Sequence, residues 1–397
     1  MWYCDTVCQY LREVNTTVNG GPHDIAVHHS RLSSQPPAAS CIGTVLRPGP
    51  LSFHLYTSSS TSTNLYSRSN MKKLSVCLFC LFLCLGSSLA NFRSGKATTL
   101  RLNDGNEIPV LGLGTAVGGG DPNEVKNAVE VAIAAGYRHL DTAALYKTEK
   151  QVGEGVRTKI RDGTIRREDV FITTKLWNNQ HEQEKVVPAL RESLENLGLD
   201  FVDLYLIHWP VSVDKQGNLT NIDFVDTWKG MVEAQRLGLT RSIGVSNFNE
   251  AQLQKLLASS KVKPVVNQIE VNPNLIQKKL VAFCQERGIQ IVAYSPLGSM
   301  AEGRRHSTPA APKLDDPILS AMAAKYKKTT VQIVLRYLLD RNLIPIPKSV
   351  TPSRIQQNID VFDFSLTPEE IEEIDKFDTG FRIIDPQYWK DSPYYPF

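Results

Sequence analysis

Eight short apolar runs, separated by amphipathic segments, recur along residues 98–397, and this alternation limits the possible folds of the 397-residue chain more than any other feature. The runs span residues 109–114, 137–141, 170–175, 202–208, 242–245, 265–269, 289–294 and 343–346. Such alternation is typical of βα units around a parallel sheet. Eight strands with helical segments between them favour a closed (β/α)₈ TIM barrel over an open doubly wound sheet.

The intervening segments carry helix signals. Residues 123–135 follow Asp121-Pro122, where aspartate can cap a helix and proline suits its first turn. Residues 185–197 place Val186, Leu190 and Leu194 along one face. We therefore expect strands and helices to alternate through to the carboxyl terminus.

The first 90 residues lack the alternating strand and helix pattern of the remainder. Residues 1–70 show no sustained period of 2 or 3.6 and contain a Ser/Thr tract at 57–63, so they are predicted to be a disordered leader or to precede the true start. Residues 71–90 combine Met71-Lys72-Lys73, an apolar run at 74–86 and Ser88-Leu89-Ala90, which is typical of a signal peptide.

The length of that apolar run bears on where the protein goes. Its 13 residues are short for a membrane span of about 20, so cleavage after Ala90 is favoured over a stable anchor. If translation starts at Met71, we expect a secreted protein, and otherwise a cytoplasmic one. Asn218-Leu219-Thr220 is an N-glycosylation acceptor on the first alternative and an ordinary polar loop on the second.

The net charge and the positions of the cysteines limit which partners and cross-links are expected. Lys and Arg number 44 against 41 Asp and Glu, and this small, evenly spread excess excludes a nucleic-acid footprint and favours a small-molecule partner. Six of seven cysteines precede Ala90, so the predicted barrel, which keeps Cys284, has no internal disulfide, and no metal site is expected. We expect a monomer.

Polar side chains that can take part in catalysis lie where three consecutive predicted strands end. Asp141, Lys175 and His208 are separated by 34 and 33 residues, about one βα step each. In a barrel the carboxyl ends of the strands meet at one rim, where active sites are built. The alternative is that these residues are polar only because strand ends are exposed to solvent. Lys175 directly follows Ile172-Thr173-Thr174, where a lysine is otherwise costly, and this favours a functional site.

The chemistry of these side chains indicates proton transfer to an oxygen. Tyr146 follows Asp141 by five residues, and a phenol with a pKa near 10 needs a neighbouring cation such as Lys175 to act as an acid. Asp141 would hold the lysine, and His208 would donate to the substrate oxygen. Carbonyl reduction is such a reaction, and its hydride requires a nicotinamide cofactor.

Several motifs occur together in one order and are highly specific. With them, residues 98–397 resemble the aldo-keto reductase superfamily. The motifs are Leu113-Gly114-Thr115, Gly136-Tyr137-Arg138-His139-Leu140-Asp141-Thr142-Ala143, Thr173-Thr174-Lys175-Leu176-Trp177, Asp203-Leu204-Tyr205-Leu206-Ile207-His208-Trp209-Pro210, Gly244-Val245-Ser246-Asn247-Phe248, Tyr294-Ser295-Pro296-Leu297-Gly298 and Ile346-Pro347-Lys348-Ser349.

The resemblance implies a catalytic tetrad and an NADPH site. Tyr146 is implied as proton donor, His208 orients the carbonyl, and Asp141 and Lys175 complete the tetrad. The implied cofactor-binding residues are Thr115, Ser246, Asn247, Gln268, Tyr294, Ser295, Leu297, Lys348, Ser349, Arg354, Gln357 and Asn358. Among them, Ser246, Asn247 and Gln268 would hold the carboxamide and Tyr294 would stack on the nicotinamide ring.

Physical reasoning supports the phosphate end of that site. Lys348 and Ser349 follow the eighth strand, and Thr351-Pro352 is typical of the cap and first turn of a helix carrying Arg354. A helix N-terminus with two cations suits the 2′-phosphate of NADPH. Where many relatives have an aspartate in the loop over the pyrophosphate, this chain has Ala301.

One competing motif fails. Gly112-Leu113-Gly114 begins like a dinucleotide fingerprint, but the required third glycine position is Val117. We interpret these glycines as permitting a tight turn beside the nicotinamide ring.

Aromatic residues predict the substrate side. Trp177 and Trp209 would form an apolar pocket with a carboxyl-terminal substrate loop that contains Phe381, Ile383, Trp389, Tyr394 and Phe397. The wide mouth and the leader resemble secreted insect reductases of 3-dehydroecdysone, a steroid ketone, although sugar or lipid aldehydes suit a similar mouth. A non-catalytic NADPH-binding sensor or structural protein on the same barrel is the alternative function.

Overall fold

A computed structural model describes residues 97–116, 121–300 and 315–397. The predicted leader at 1–70 and signal peptide at 71–90 lie outside these ranges, as do Val117 and Ala301. The strands of the described ranges are β1 Thr99–Arg101, β2 Glu107–Pro109, β3 Leu113–Gly114, β4 His139–Asp141, β5 Phe171–Leu176, β6 Val202–Ile207, β7 Ser212–Val213, β8 Leu219–Thr220, β9 Thr240–Ser246, β10 Val266–Glu270, β11 Gln290–Tyr294 and β12 Ile344–Pro345.

The α-helices of the same ranges lie between and after these strands. They are α1 Pro122–Ala135, α2 Glu149–Arg161, α3 Gln183–Leu197, α4 Phe224–Arg236, α5 Glu250–Ser259, α6 Lys278–Glu286, α7 Pro317–Tyr326, α8 Thr330–Asp340, α9 Pro352–Asn358 and α10 Pro368–Asp375. Strand and helix therefore alternate as the hydrophobic pattern predicts.

Eight parallel strands form one continuous sheet in the order β3, β4, β5, β6, β9, β10, β11, β12. The sheet closes on itself because the Gly112 and Gly114 amides donate to the carbonyls of Pro345 and Pro347, each at 3.1 Å. A parallel bridge between Gly114 and Lys348 continues this seam. The predicted (β/α)₈ barrel is confirmed.

The seam corrects the interpretation of the two glycines. Gly114 lies in β3 with Gly112 just before it, and neither has a positive φ, so the predicted tight turn is wrong. A Cβ on Gly114 would lie 2.8 Å from the carbonyl oxygen of Ile346, and one on Gly112 would lie 2.7 Å from His139 Nδ1. The glycines are needed because the first and last strands approach closely here.

The predicted run at 109–114 also divides into two elements. Its first residue, Pro109, pairs with Thr99 in an antiparallel β1–β2 hairpin, and only Leu113–Gly114 belongs to the barrel. Leu102 and Ile108 of this hairpin segment pack into the barrel interior with the inward-facing residues of the strands. Pro109 and residues 111–114 are also buried, which explains why the run at 109–114 looked like one continuous strand.

Helix ends follow the expected chemistry. Asp121 caps α1 by accepting a hydrogen bond from the Asn123 amide at 2.9 Å, and the helix ends at Gly136, whose φ is 105°. In α3, Val186, Leu190 and Leu194 are buried against the sheet as predicted. The described residues contain no helix long and apolar enough to cross a membrane.

Candidate active site

The four predicted catalytic side chains come from three adjacent strands. Asp141 is the last residue of β4, Lys175 is the penultimate residue of β5, and His208 directly follows β6. Tyr146 ends a short 3₁₀ turn, Ala144–Tyr146, in the loop after β4. The parallel register therefore brings all four to the carboxyl-terminal rim.

Lys175 is the centre of the group. Its ammonium donates to Asp141 Oδ1 at 2.6 Å, to the Thr142 carbonyl at 2.9 Å and to Tyr146 Oη at 3.3 Å. The lysine is fully buried and Asp141 is 2% exposed. The Lys175 ammonium therefore links the Asp141 carboxylate to the Tyr146 phenol.

Burial governs the electrostatics. It lowers the pKa of Lys175, and the Asp141 charge opposes that shift. Burial, with the charge of Lys175, also lowers the pKa of His208 well below its usual value, so His208 is neutral near pH 7. A neutral imidazole can donate one hydrogen bond without adding charge. The His208 ring meets the Tyr146 ring edge-on, with centroids 5.7 Å apart.

A hydrogen-bonded chain links the tetrad to the predicted nicotinamide site. Gln268 Nε2 donates to Asp141 Oδ2 at 2.8 Å, and Ser246 Oγ donates to the Gln268 carbonyl at 2.8 Å. Asn247 Nδ2 donates to the His208 carbonyl at 3.0 Å, and Tyr294 Oη donates to Asn247 Oδ1 at 2.7 Å. These contacts fix the amides beside the reacting groups.

Two residues of the predicted nicotinamide site have left-handed backbones. Asn247 has φ 64° and Ser295 has φ 46°, both unusual for non-glycine residues. Such strain concentrates at functional sites. Tyr294 is half-buried and packs against both the barrel interior and the aromatic cluster above it.

The remaining predicted cofactor residues lie along the same rim. Thr115 donates through Oγ1 to the Asp141 carbonyl at 2.9 Å, and Leu297 packs at the edge of the main core. Lys348, Arg354 and Gln357 are exposed, whereas Ser349 and Asn358 are buried. Their assignment to the cofactor stays a prediction.

The helix expected to carry Arg354 is present as α9. Thr351 is its N-cap residue as predicted, although the Thr351 side chain makes no capping hydrogen bond. Ser349 Oγ instead accepts from the Thr351 amide at 3.2 Å and shapes the turn that leads into the helix. Pro352 occupies the first turn as expected.

An aromatic cluster covers the tetrad. Trp177 meets the His208 ring at 5.3 Å, and Trp389 of the carboxyl-terminal segment packs on Trp177 at 6.1 Å and on Trp209 at 5.5 Å. Ile383 and Tyr394 border this cluster, and Phe397 packs on Trp209. The Phe381 amide donates to the Asn274 carbonyl at 3.2 Å.

Sequence reasoning missed three contributors to the site. The Thr142 carbonyl accepts from Lys175, and Ile384 is buried in the aromatic cluster. Glu270, the last residue of β10, is fully buried and binds the carboxyl-terminal segment. Its position two residues after Gln268 was the one available signal, since alternate strand residues share a face.

The donor set fits a nicotinamide dinucleotide. Amide and hydroxyl groups of Ser246, Asn247 and Gln268 can bind a carboxamide, and the exposed cations Lys348 and Arg354 can bind a phosphate. The described ranges hold no cluster of three His, Cys, Asp or Glu side chains that could bind a metal.

Comparisons with known proteins agree with this geometry. The profile of the Aldo/keto reductase family matches residues 110–379. "Aldo-keto reductase AKR2E4" of Bombyx mori is 52% identical over 305 residues, covering 76% of this chain and 99% of that protein. "Estradiol 17 beta-dehydrogenase 5" of Mus musculus is 43% identical over 320 residues, covering 76% and 98%.

Solved structures match as well. The crystal structure of AKR2E4 in complex with NADP gives a TM-score of 0.74 at 52% identity, covering 76% of this chain and 99% of that one. AKR2E5 complexed with NADPH gives a TM-score of 0.75 at 45% identity, covering 76% and 94%.

Proposed function

Because the chain belongs to the aldo/keto reductase family and is an NADPH-dependent oxidoreductase that reduces carbonyl compounds, we propose that Tyr146 is its proton donor and that a bulky ketone is its substrate. When bound, NADPH supplies the hydride. The observation that carries the proposal is the 3.3 Å hydrogen bond from the buried Lys175 ammonium to the Tyr146 hydroxyl.

The ammonium favours the phenolate form of Tyr146 and so makes the phenol a stronger acid. Asp141, 2.6 Å from the ammonium, keeps the lysine charged in a buried position. Tyr146 then transfers its proton to the substrate oxygen as negative charge develops there.

His208 has a different role in the proposal. Since its pKa is lowered, it is a neutral donor that hydrogen-bonds the carbonyl oxygen and orients it toward Tyr146. A cofactor-binding sensor would need neither this donor nor the cation beside the phenol, which is why we favour catalysis.

The direct test is Tyr146→Phe. We expect kcat for carbonyl reduction to fall by about 10²–10⁴-fold while the Kd for NADPH, measured by fluorescence titration, is unchanged. Tyr326→Phe is the matched control, because Tyr326 bonds Glu370 on α10, outside the site. Wild-type turnover in Tyr146→Phe would refute the assignment of the acid.

The apolar mouth supports a bulky substrate. Trp177, Trp209 and Trp389, each 6% exposed or less, form an apolar cluster beside the His208 ring, so a ketone carbonyl that reaches His208 lies next to apolar aromatic side chains. The relative named for estradiol points to a lipid-like compound. We expect kcat/KM for an ecdysteroid ketone to exceed that for a sugar aldehyde and a medium-chain lipid aldehyde; a higher value for the sugar would overturn the proposal.

Secretion is part of the proposal and rests on the sequence at 71–90. Asn218 is exposed in the β7–β8 hairpin and is therefore accessible for glycosylation. Amino-terminal sequencing of the native protein should find Asn91 first, and an N-glycosidase should increase its mobility on a gel. A native chain that begins at Met1 would refute cleavage.

A further inference from the structure

The carboxyl-terminal segment after α10, residues 376–397, carries much of the aromatic cluster. Ile384 is 5% exposed and Trp389 is 3% exposed, although both belong to a segment without long regular structure. The buried backbone amides and carbonyls of such a segment need hydrogen-bond partners, and side chains of the barrel supply several of them.

One anchor lies at the far end of the segment. Asn249 Nδ2 donates to the Pro396 carbonyl at 3.1 Å, and Gln252 Nε2 donates to the Tyr394 carbonyl at 2.8 Å. Asn249 is the N-cap of α5, and Gln252 lies in the first turn of that helix. The last residues are therefore attached to one side of the rim.

Glu270 is the anchor at the near end. Its Oε1 accepts from the Ile383 amide at 2.9 Å, and its Oε2 accepts from the Ile384 amide at 2.9 Å. Asn272 Nδ2 also donates to Oε1, at 3.2 Å. The carboxylate is fully buried, so these hydrogen bonds are sheltered from water.

Arg382 complements the buried carboxylate. Burial raises the pKa of Glu270, and the charge of Arg382 opposes that shift. The Arg382 guanidinium also lies 3.6 Å from the centroid of the Phe397 ring, and Phe397 packs on Trp209 at 5.9 Å. The near and far ends of the segment thus meet beside Trp209.

We infer that Glu270 is a positioning residue that holds the 381–397 segment over the tetrad and thereby determines affinity for bulky carbonyl substrates. The inference rests on the proposed function. Two consecutive backbone amides need two acceptors, and a carboxylate supplies both from one side chain. Small carbonyls that reach only Tyr146 and His208 do not depend on the segment.

The experiment compares Glu270→Ala and Glu270→Gln with Glu286→Gln, a control at an exposed carboxylate on α6. The probes are 4-nitrobenzaldehyde and the steroid ketone 5α-androstane-3,17-dione. We expect Glu270→Ala to raise KM for the steroid by about tenfold or more, and KM for the aldehyde by less than about threefold. Glu270→Gln keeps one acceptor oxygen and should lie between Glu270→Ala and wild type.

Hydrogen exchange gives a readout that needs no turnover. The amides of Ile383 and Ile384 should exchange faster in Glu270→Ala than in the control, whereas the Kd for NADPH is unchanged. Unchanged exchange, or an equal loss of affinity for both probes, overturns the inference.

A wild-type enzyme that reduces neither probe would refute the proposed function but would leave the positioning role of Glu270 open to a binding test. The Kd of the steroid for the NADP⁺ complex, measured by tryptophan fluorescence, then replaces KM. A steroid Kd raised about tenfold in Glu270→Ala supports the positioning role, and an unchanged Kd overturns it.

Discussion

Replacing Lys175 with methionine removes the ammonium that joins Asp141 to Tyr146, and the structure fixes the size of the effect. Asp141 is 2% exposed and would lose the Lys175 ammonium, which lies 2.6 Å from its Oδ1. It would keep the hydrogen bond that the Gln268 side-chain amide donates to its Oδ2 at 2.8 Å. Removing one member of a buried ion pair costs about 3–5 kcal/mol because the other charge stays buried. At roughly 2–4 °C per kcal/mol, we expect Tm to fall by about 10 °C.

A double-mutant cycle separates the pair from other losses. We expect Lys175→Met and Asp141→Asn each to lower the free energy of unfolding, measured by urea titration. The double variant should recover about 2–3 kcal/mol relative to the sum of the two. Additive losses would refute the reasoning, since they would mean that the two charges do not stabilise each other.

The same variant tests the catalytic role of the lysine. Without the cation, Tyr146 is a weaker acid, so single-turnover reduction should slow by about 10²–10⁴-fold. The Kd for NADPH should not change. A normal rate in folded Lys175→Met would show that the 3.3 Å contact with the phenol has no part in proton transfer.

Burial lowers the pKa of His139 to about 4 and that of His181 to about 3, below about 6.5 for an unfolded imidazole, so stability is lost as pH falls below 6.5. Protonation of each histidine on unfolding should lower the free energy of unfolding by about 2 kcal/mol between pH 7 and 5. Urea titrations at both pH values should show that His181→Gln removes the part of this loss that His181 causes. Arg354→Ala should weaken NADPH binding about tenfold and leave NADH binding unchanged, which fluorescence titration checks; equal effects would contradict a phosphate contact. Gly114→Ala places a Cβ 2.8 Å from the Ile346 carbonyl oxygen and should lower the free energy of unfolding, measured by urea titration, by about 1–3 kcal/mol; an unchanged value would contradict the close approach of the strands at the seam.

The barrel could be predicted because its signals are local. Each strand is a short apolar run, and Asp121 and Gly136 mark the ends of α1 in the sequence itself. The end of β2 was not separated from β3 because Pro109 and residues 111–114 are all buried, so one apolar run covers parts of both strands. A hydrophobic pattern reports burial, and it does not report which neighbour a strand pairs with.

The sequence determined which side chains reach the rim, because one βα step separates Asp141, Lys175 and His208 and parallel strands end on the same side. Only the tertiary structure decided what those side chains touch: the seam at Gly114, and the attachment of the carboxyl-terminal segment to Glu270. The physical reason is distance along the chain. A periodic pattern extends over a few residues, whereas Glu270 and Ile384 are 114 residues apart and meet only when the barrel has closed.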